Sequence, residues 1–440
     1  MSTNNQTHQA WLPDLVYLEG RFQPDRAVVC DSAGKIERIA KSEEVPDAIR
    51  LSGRALLPGM VNAHSHAFQR MIRGRTEHRS QHSTDSFWTW REQMYAAANS
   101  LEPDDIYAVS RLAFLEMALT GITAVGEFHY LHHSRDGSPY SDPNLLEREV
   151  IRAARDVGIR IALLRVAYAR AGYQTEPNPQ QVRFIEDSPD VYLKNLEQLL
   201  TVKDDMAWVG VAPHSVRAVP LDYLKTIVTF ANEHALPVHM HVAEQPAEVS
   251  ACIAEYGRSP VSLLETEGLL SKRFTGVHAI HVTPKAIAAL ARGGAFVCAC
   301  PTTERNLGDG VVPVDAYFDA GVRVSLGTDS QIQIDLLEDA RELEYHLRLQ
   351  KMERNVLSPM LAQRLFDCAT VSGAASIGFD GGRIAAGAPA DFFTVDLNDP
   401  SIAGAAVDDL LTNIVFSLAR TAVRDVVVGG RRIVEDGKHR

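Results

Sequence analysis

The stretch Leu57-Pro58-Gly59-Met60-Val61-Asn62-Ala63-His64-Ser65-His66 decides the fold. An apolar run leads into it from Ala55, and two histidines end it. Side chains two residues apart on a β-strand lie on the same face, so both imidazoles point the same way. We therefore predict a strand over 55–66 whose carboxyl end carries two imidazoles. On its own, this pair is a weak indication of a metal site.

Short apolar runs recur after this strand at fairly even intervals, separated by segments with helical periodicity. Seven further strands are predicted over 122–128, 160–166, 208–213, 237–244, 276–282, 294–301 and 322–329. Helices are predicted over 104–119, 144–157, 220–234, 284–292 and 338–351. Several runs are apolar on both faces, as parallel strands covered by helices are. Eight strands alternating with helices predict an α/β fold, a (β/α)8 TIM-like barrel. The alternative, a doubly wound open sheet, is weakened because no Gly-x-Gly-x-x-Gly follows the first strand.

The two ends of the chain differ from its middle. Short β-like runs and glycine turns fill residues 16–57 and 379–438. We expect these segments to pair into one small β-sandwich domain, formed by residues 1–57 and 379–440, with the barrel over 58–378. The polar, histidine-rich stretch 75–86 follows the first strand, and we predict an irregular loop there, beside the mouth of the barrel.

Composition excludes several classes of function. The 440 residues carry a net charge of −12, which disfavours binding to nucleic acid or to an anionic membrane surface. No run of 18 apolar residues and no signal peptide is seen, so we expect no membrane span. The five cysteines are scattered, which predicts a reducing, cytoplasmic location. Two of them, Cys298 and Cys300, lie in an apolar run and are predicted to be buried.

Sixteen histidines are unusual, and they recur where strands end. The fifth strand carries His239, His241 and then Glu244, the sixth carries His278 and His281, and the eighth ends at Asp329. Because the carboxyl ends of barrel strands meet at one mouth, these residues predict a metal site. Imidazole and carboxylate ligands suit Zn²⁺, with Fe²⁺ or Mn²⁺ as alternatives. The fourth strand lacks the lysine that a carbamylated bridge would need, so we expect one metal ion per chain.

The spacing leaves two choices open. His239 and His241 share a face of the fifth strand, and the same ambiguity holds for His278 and His281. Three histidines and one aspartate would leave a coordination position for water, as a catalytic site requires. Metal binding lowers the pKa of such a water toward neutrality.

These motifs resemble the amidohydrolase superfamily over nearly the whole chain. The stretch 57–66 is similar to its first-strand signature, and His241, His278 and Gly327-Thr328-Asp329 fit its deaminase branch. Within that branch the chain is most similar to the N-formimino-L-glutamate (formimidoylglutamate) deiminase family. The motifs that carry this resemblance are HSHAFQR at 64–70, FWTWRE at 87–92, GEFHY at 126–130, HVAEQ at 241–245 and CPTTE at 300–304. Val61 and Arg305 depart from that family's common residues.

The resemblance assigns roles to these side chains. It implies that His64, His66, His241 and Asp329 bind one Zn²⁺. Beside a metal-bound hydroxide Glu244 can carry protons, so we assign it to protonate the leaving nitrogen, while His278, which fits the family motif, and Asp329 orient and deprotonate water. The resemblance implies substrate contacts from Gln69, Arg91, Tyr130, His214 and Arg217. Two carboxylates on a substrate need cationic partners, which arginine offers as a bidentate fork.

The implied activity is zinc-dependent hydrolysis of N-formimino-L-glutamate, a step of histidine catabolism, to N-formyl-L-glutamate and ammonia. The partners implied are this small molecule and a second copy of the chain in a homodimer. Cleavage to formamide and glutamate is the competing reaction. The nearest rival is another deaminase of this superfamily that acts on a purine, a pterin or another heterocycle. A non-catalytic scaffold of the same fold is a rival of another class.

Overall fold

The computed structural model describes residues 9–77 and 86–440. Most of the loop predicted over 75–86 therefore lies outside the described residues. The described strands form two sheets, a nine-stranded terminal sheet and an eight-stranded barrel sheet. Among the described residues, no helix is both long and apolar enough to cross a membrane.

The strands are numbered in chain order. The first five are β1 (Gln9–Leu18), β2 (Arg21–Pro24), β3 (Ala27–Cys30), β4 (Ile36–Ala40) and β5 (Ile49–Pro58). The next eight are β6 (Met60–Ser65), β7 (Ile122–His129), β8 (Arg160–Ala167), β9 (Ala207–Pro213), β10 (Val238–Val242), β11 (Phe274–His278), β12 (Phe296–Ala299) and β13 (Arg323–Leu326). The last four are β14 (Phe392–Asp396), β15 (Val423–Val428), β16 (Arg431–Glu435) and β17 (Lys438–His439).

The helices alternate with the middle group of strands. Those up to β10 are α1 (Phe87–Ala98), α2 (Pro103–Leu119), α3 (Leu145–Val157), α4 (Pro189–Leu199) and α5 (Leu221–Glu233). Those that follow up to β13 are α6 (Pro246–Tyr256), α7 (Pro260–Thr266), α8 (Pro284–Gly293), α9 (Pro301–Leu307) and α10 (Val314–Asp319). The remainder are α11 (Leu336–Lys351), α12 (Leu361–Ala369), α13 (Val371–Ser376) and α14 (Leu410–Ser417).

The barrel sheet contains β6 to β13 in sequence order, and every neighbouring pair is parallel. The ends of β6 and β13 meet and close the barrel through two backbone hydrogen bonds. The Asp329 amide donates to the His64 carbonyl at 3.0 Å, and the Asp329 carbonyl accepts from the His66 amide at 3.0 Å. Strands β7 and β8 are buried along their whole length, which explains their continuous apolar character. The predicted (β/α)8 barrel is confirmed.

The predicted strand 55–66 is two strands that belong to different sheets. The Gly59 amide donates to the Asp391 carbonyl at 3.0 Å, while the next amide, Met60, donates to the Gly121 carbonyl at 3.1 Å. A Cβ at position 59 would lie 2.2 Å from the Thr123 Oγ1, so only glycine fits where the chain passes from one sheet to the other.

The terminal sheet has nine strands and joins both ends of the chain, as predicted. Its order is β17-β16-β15-β14-β5-β1-β3-β4, with β2 paired to β1. It encloses a hydrophobic cluster of its own, in which Trp11 meets Phe392 edge to face at 5.7 Å. The buried Arg160 at the start of β8 binds the Asp391 carboxylate through two hydrogen bonds of 2.7 and 2.9 Å and so ties the two sheets together. The domain limits at 57/58 and 378/379 stay a prediction.

Candidate active site

Four predicted ligands meet at the carboxyl ends of three barrel strands. His64 lies in β6, His66 directly follows it, His241 lies in β10, and Asp329 follows β13. One ligand atom from each of the four lies within 4.8 Å of the others, and all four residues are buried. The Nε2 of His64 lies 3.2 Å from the Nε2 of His66 and 3.2 Å from that of His241. The four residues that the family resemblance assigns to the metal therefore lie together.

The donor set fits a metal cation. The Nδ1 of His66 lies 2.9 Å from the Phe128 carbonyl, and that of His241 lies 3.1 Å from the His214 carbonyl. A carbonyl only accepts, so both Nδ1 atoms donate and both Nε2 atoms keep a free lone pair. These lone pairs converge beside the Asp329 Oδ1, which lies 3.2 Å from the His66 Nε2. Such convergence of acceptors is repulsive unless a cation lies among them.

Electrostatics set the same protonation states that metal binding requires. Burial lowers the pKa of His64 to about 3, so this imidazole is neutral. Burial by itself raises the pKa of Asp329, but the neighbouring imidazoles of His64, His66 and His278 outweigh it and hold that pKa well below its usual range. Neutral imidazoles and an ionised carboxylate are the ligand forms that bind metal.

A polar network fixes the backbone that carries the ligands. The Asn62 side chain donates to the Thr328 Oγ1 at 2.7 Å and accepts from the Thr328 amide at 3.0 Å. Gln331 donates to the Ser65 hydroxyl at 2.8 Å, and Ser65 donates to Glu127 at 2.5 Å. Burial raises the pKa of Glu127 to about 8. These contacts join the first two strands to the last one directly below the cluster.

His278 lies on the opposite side of Asp329. Its Nε2 is 3.7 Å from the Glu244 Oε1 and 3.7 Å from the Asp329 Oδ2, and its Nδ1 is 3.2 Å from the Glu304 Oε1. Burial by itself lowers the pKa of His278, but the carboxylates of Glu244 and Glu304 outweigh burial and hold it well above its usual value. Burial also raises the pKa of Glu244 to about 7. The three groups are close enough to exchange protons through water.

The two choices that the spacing left open are separated by depth and direction. His239 lies two residues deeper in the barrel than His241, and its Nε2 donates to the Ser376 carbonyl at 2.9 Å. His281 lies beyond His278, and its Nε2 donates to the Asp309 carbonyl at 2.9 Å. Both imidazoles are thus held by backbone carbonyls away from the cluster.

One cavity unites the cluster with all five residues predicted to contact substrate. They are Gln69, Arg91, Tyr130, His214 and Arg217. The Gln69 amide donates to the Tyr130 hydroxyl at 2.9 Å. The Arg91 guanidinium lies 4.5 Å from the centre of the Trp88 ring, and one nitrogen of Arg217 donates to the Ala171 carbonyl at 2.8 Å. Two cationic groups therefore share a cavity with His66, His241 and Asp329.

The residues around Arg91 are helical. They form helix α1, whose Tyr95 faces the same cavity. A second tyrosine of this cavity, Tyr168, directly follows β8, and Gln181 donates to both hydroxyls at 2.7 Å. Tyr168 also accepts from Arg217 at 3.2 Å. The rule that strand-end residues face the mouth could have found Tyr168, whereas nothing in the local sequence marks Tyr95.

Comparison with known proteins agrees with this geometry. The profile of the amidohydrolase family matches residues 55–433. The chain is 40% identical over 412 residues to a formimidoylglutamate deiminase from Pseudomonas aeruginosa, which covers 92% of this chain and 90% of that protein. It is 29% identical over 430 residues to a 5-methylthioadenosine/S-adenosylhomocysteine deaminase from Halobacterium salinarum, covering 96% of this chain and 90% of that protein.

A solved structure extends the comparison to three dimensions. The crystal structure of an amidohydrolase from Brucella melitensis superposes with a TM-score of 0.88 at 35% identity, covering 98% of this chain and 96% of the other. A profile match over most of the chain, a relative at 40% identity and a shared fold all point the same way. The chain belongs to the amidohydrolase family, and it is a hydrolase of C–N bonds of the deaminase type.

Proposed function

We propose that this enzyme hydrolyses N-formimino-L-glutamate to N-formyl-L-glutamate and ammonia, with one Zn²⁺ bound by His64, His66, His241 and Asp329. One observation carries the proposal. Arg91 and Arg217 line the same cavity as the ligand cluster. A dicarboxylate substrate needs two such partners, whereas a neutral heterocycle needs none. The 40% identity to a formimidoylglutamate deiminase supports the same substrate.

Each Arg is held for anion binding. Arg217 donates to the Tyr168 hydroxyl and to the Ala171 carbonyl, which fixes the plane of its guanidinium. Arg91 lies over Trp88, and its Nε is buried without a partner among the described residues. A buried donor without a partner is costly, so a carboxylate bound there would recover a hydrogen bond. We assign Gln69, Tyr130 and His214, nearer the ligand cluster, to the formimino end of the substrate.

The bound metal would supply a nucleophile at neutral pH, since it lowers the pKa of a water that it holds. The other tasks fall to side chains of the chain. Asp329 and His278 lie 3.7 Å apart and together orient and deprotonate the attacking water. A cation bound to Asp329 would offset the negative charge that favours the protonated imidazole. Glu244, 3.7 Å from His278, donates a proton to the nitrogen that leaves as ammonia. With a pKa of about 7, Glu244 can both accept and release a proton near neutral pH.

Ammonia release tests the reaction directly. The purified zinc protein should release one ammonia from each N-formimino-L-glutamate, with N-formyl-L-glutamate as the second product. Formation of formamide and glutamate would show that the other C–N bond is cleaved. No ammonia at micromolar enzyme would overturn the assignment.

The heterocycle deaminases are the second candidate, favoured by the relative at 29% identity. The Arg91→Ala and Arg217→Ala variants distinguish the two. For a dicarboxylate substrate, each variant should lower kcat/KM by about 10–100-fold, because a charged hydrogen bond contributes about 1.5–3 kcal/mol. Arg305→Ala is the matched control, since Arg305 pairs with Glu342 at the surface. Wild-type kcat/KM in both variants, together with deamination of a purine nucleoside, would favour the rival.

The zinc content of the purified protein tests the cofactor and distinguishes the enzyme from a non-catalytic scaffold. Three histidines and one aspartate should retain about one zinc per chain through gel filtration. Much less than half a metal ion per chain after expression with zinc would favour the scaffold. Fe²⁺ or Mn²⁺ in place of zinc would change the metal and leave the ligands as assigned.

We also propose a cytoplasmic homodimer that acts in histidine degradation. All five cysteines are free and buried, which is consistent with a reducing compartment. Light scattering after gel filtration measures the oligomeric state, and a mass near the 48.4 kDa of one chain would contradict the dimer.

A further inference from the structure

A second set of metal-ligating side chains lies across Asp329 from the cluster described above. It consists of His278, Cys300 and Asp329, whose ligand atoms lie within 4.8 Å of one another. All three residues are buried, and Cys300 is fully inaccessible to solvent. Cys300 follows β12 and directly precedes α9, so it too lies at the carboxyl end of a barrel strand. No role in the proposed hydrolysis uses this thiol.

The two oxygens of Asp329 face different donor sets. Its Oδ1 lies 3.5 Å from the His64 Nε2 and 3.2 Å from the His66 Nε2. Its Oδ2 lies 3.7 Å from the His278 Nε2. A carboxylate placed in this way between two groups of donors can bridge two metal ions, as carboxylates in two-metal sites do.

The orientation of His278 suits a ligand. Its Nδ1 lies 3.2 Å from the Glu304 carboxylate, which can only accept when ionised, so Nδ1 carries the proton. The neighbouring carboxylates favour the protonated ring, so a cation bound at Nε2 would displace that second proton and use the lone pair beside the Asp329 Oδ2. A carboxylate bound to the far nitrogen is the common support of a metal-ligating histidine, because it fixes the ring and raises its basicity.

The surroundings are rich in carboxyl groups. Glu304 accepts from the Cys300 amide at 2.9 Å, and Glu244 lies 3.7 Å from the His278 Nε2. Nearby Asp309 is 3% exposed and its Oδ2 has no partner among the described residues. Burial, followed by the charge of Glu244, raises its pKa to about 9. A divalent cation at this point would favour the ionised forms of these carboxyl groups, which burial holds partly protonated.

We propose that His278, Cys300 and the Asp329 Oδ2 form a second, lower-affinity site for a thiophilic divalent cation such as Zn²⁺, Co²⁺ or Cd²⁺, and that its occupation inhibits the enzyme. On binding, the Cys300 S–H bond breaks, a sulfur–metal bond forms and the proton passes to solvent. Inhibition rests on the proposed function, because the His278 Nε2 would no longer be free to accept a proton from water. The missing lysine on β9 argues only against a lysine-bridged pair of metals.

Titration of the metal-free protein with Co²⁺ tests the site without any substrate. The first equivalent should bind to imidazole and carboxylate and give weak visible bands alone. The second equivalent should add a near-ultraviolet charge-transfer band, which arises only when a thiolate binds cobalt. Cys300→Ser should lose this band and keep the first equivalent. Cys30→Ser, which removes a buried thiol in β3, should keep both.

A second measurement tests inhibition. Protein loaded with one equivalent of Zn²⁺ should lose ammonia-forming activity as Zn²⁺ or Cd²⁺ is added, and Cys300→Ser should raise the inhibitory concentration by about 10–100-fold. Without added metal, Cys300→Ser should keep wild-type kcat. If the wild type has no activity, the proposed function fails, whereas the cobalt band still decides the second site.

Three results would overturn the proposal: uptake of one cobalt ion only, two cobalt ions without a charge-transfer band, or a band that Cys300→Ser leaves unchanged. Cys300→Ala provides a second variant if the serine variant does not fold. The wild-type spectrum needs no variant, so absence of the band is decisive in every case.

Discussion

The barrel sheet and the terminal sheet are built from the same kind of short apolar strand, yet only one of them gathers polar groups. Both sets of metal-ligating side chains found among residues 9–77 and 86–440 lie at the barrel. The core of the terminal sheet is a hydrophobic cluster that includes Trp11, Leu56 and Phe392. All eight barrel strands are parallel, so their carboxyl ends form one rim. The terminal sheet is mostly antiparallel, so its strand ends alternate between two edges. Strand direction, more than residue composition, therefore determines which sheet can bring metal-ligating side chains together.

This difference predicts that activity and stability can be changed separately. The largest effect should come from Asp329→Asn at the rim. Loss of the ionised ligand should lower kcat/KM by about 10³-fold or more, since a metal contributes several kcal/mol to such reactions. The amide is isosteric but cannot carry the charge that the neighbouring imidazoles stabilise, so the free energy of unfolding of the metal-free protein should fall by about 1–3 kcal/mol, less than the loss of transition-state stabilisation. Zinc content, ammonia assays and urea unfolding measure the three quantities. If the free energy of unfolding falls by as much as the activation free energy rises, activity and stability are not separable at this position.

The opposite outcome is expected at the terminal sheet. Asp391→Ala leaves the buried Arg160 without its carboxylate, which should cost about 3–5 kcal/mol of unfolding free energy. The folded fraction should keep kcat within about twofold, because the pair lies at the amino end of β8. Urea unfolding and active-site-normalised rates check this. The control is Asp408→Ala at an exposed position, where a change below about 0.5 kcal/mol is expected. A large fall in kcat would show that the two sheets are functionally coupled.

Glu304→Gln tests how much of the enzyme's activity depends on the charge that Glu304 places beside the His278 imidazole. Glutamine can keep contact with the His278 Nδ1, but it removes the negative charge that stabilises a protonated ring. We expect kcat to fall roughly 100-fold, at the low end for loss of an acid–base group, with KM nearly unchanged. Steady-state kinetics separate the two constants. Glu342→Gln on α11 is the control. An effect on KM alone would show that Glu304 serves the substrate instead of the imidazole.

The smallest effect is expected from Tyr168→Phe. Its hydroxyl accepts from the charged Arg217, and a hydrogen bond to a charged group contributes about 1.5 kcal/mol at the low end, so KM should rise about tenfold with kcat within twofold. Tyr173→Phe, at an exposed position, should match wild type. A larger effect on kcat than on KM would place Tyr168 closer to the reacting atoms than its contacts indicate.

The barrel and its ligand cluster could be predicted because their signal is local. His64 and His66 end an apolar run, and so does Asp329, and parallel strands bring all such ends to one rim. The choice between His239 and His241 could not be made in this way. Both share a face, and only their depth along the barrel axis separates them.

Other features depend on partners that are distant in sequence. The run 55–63 is mostly apolar, but the amides of Gly59 and Met60 donate to segments of different sheets. A hydropathy pattern cannot show where the chain passes from one sheet to the other. Tyr95 reaches the cavity because α1 packs over the mouth, which the residues of α1 do not specify by themselves. Glu304 belongs to the CPTTE motif, to which the resemblance assigns no role, although its position in the first turn of α9, just after β12, marks it as a residue of the barrel mouth.

The closure of the barrel has a consequence for the nascent chain. His64 and His66 emerge from the ribosome early, but Asp329 is made much later, and its backbone pairs with theirs only when the last barrel strand docks on the first. Contacts so distant in sequence form late in folding. The complete set of ligands therefore exists only in a chain that has finished folding, and tight retention of zinc would serve as a chemical report that the barrel has closed.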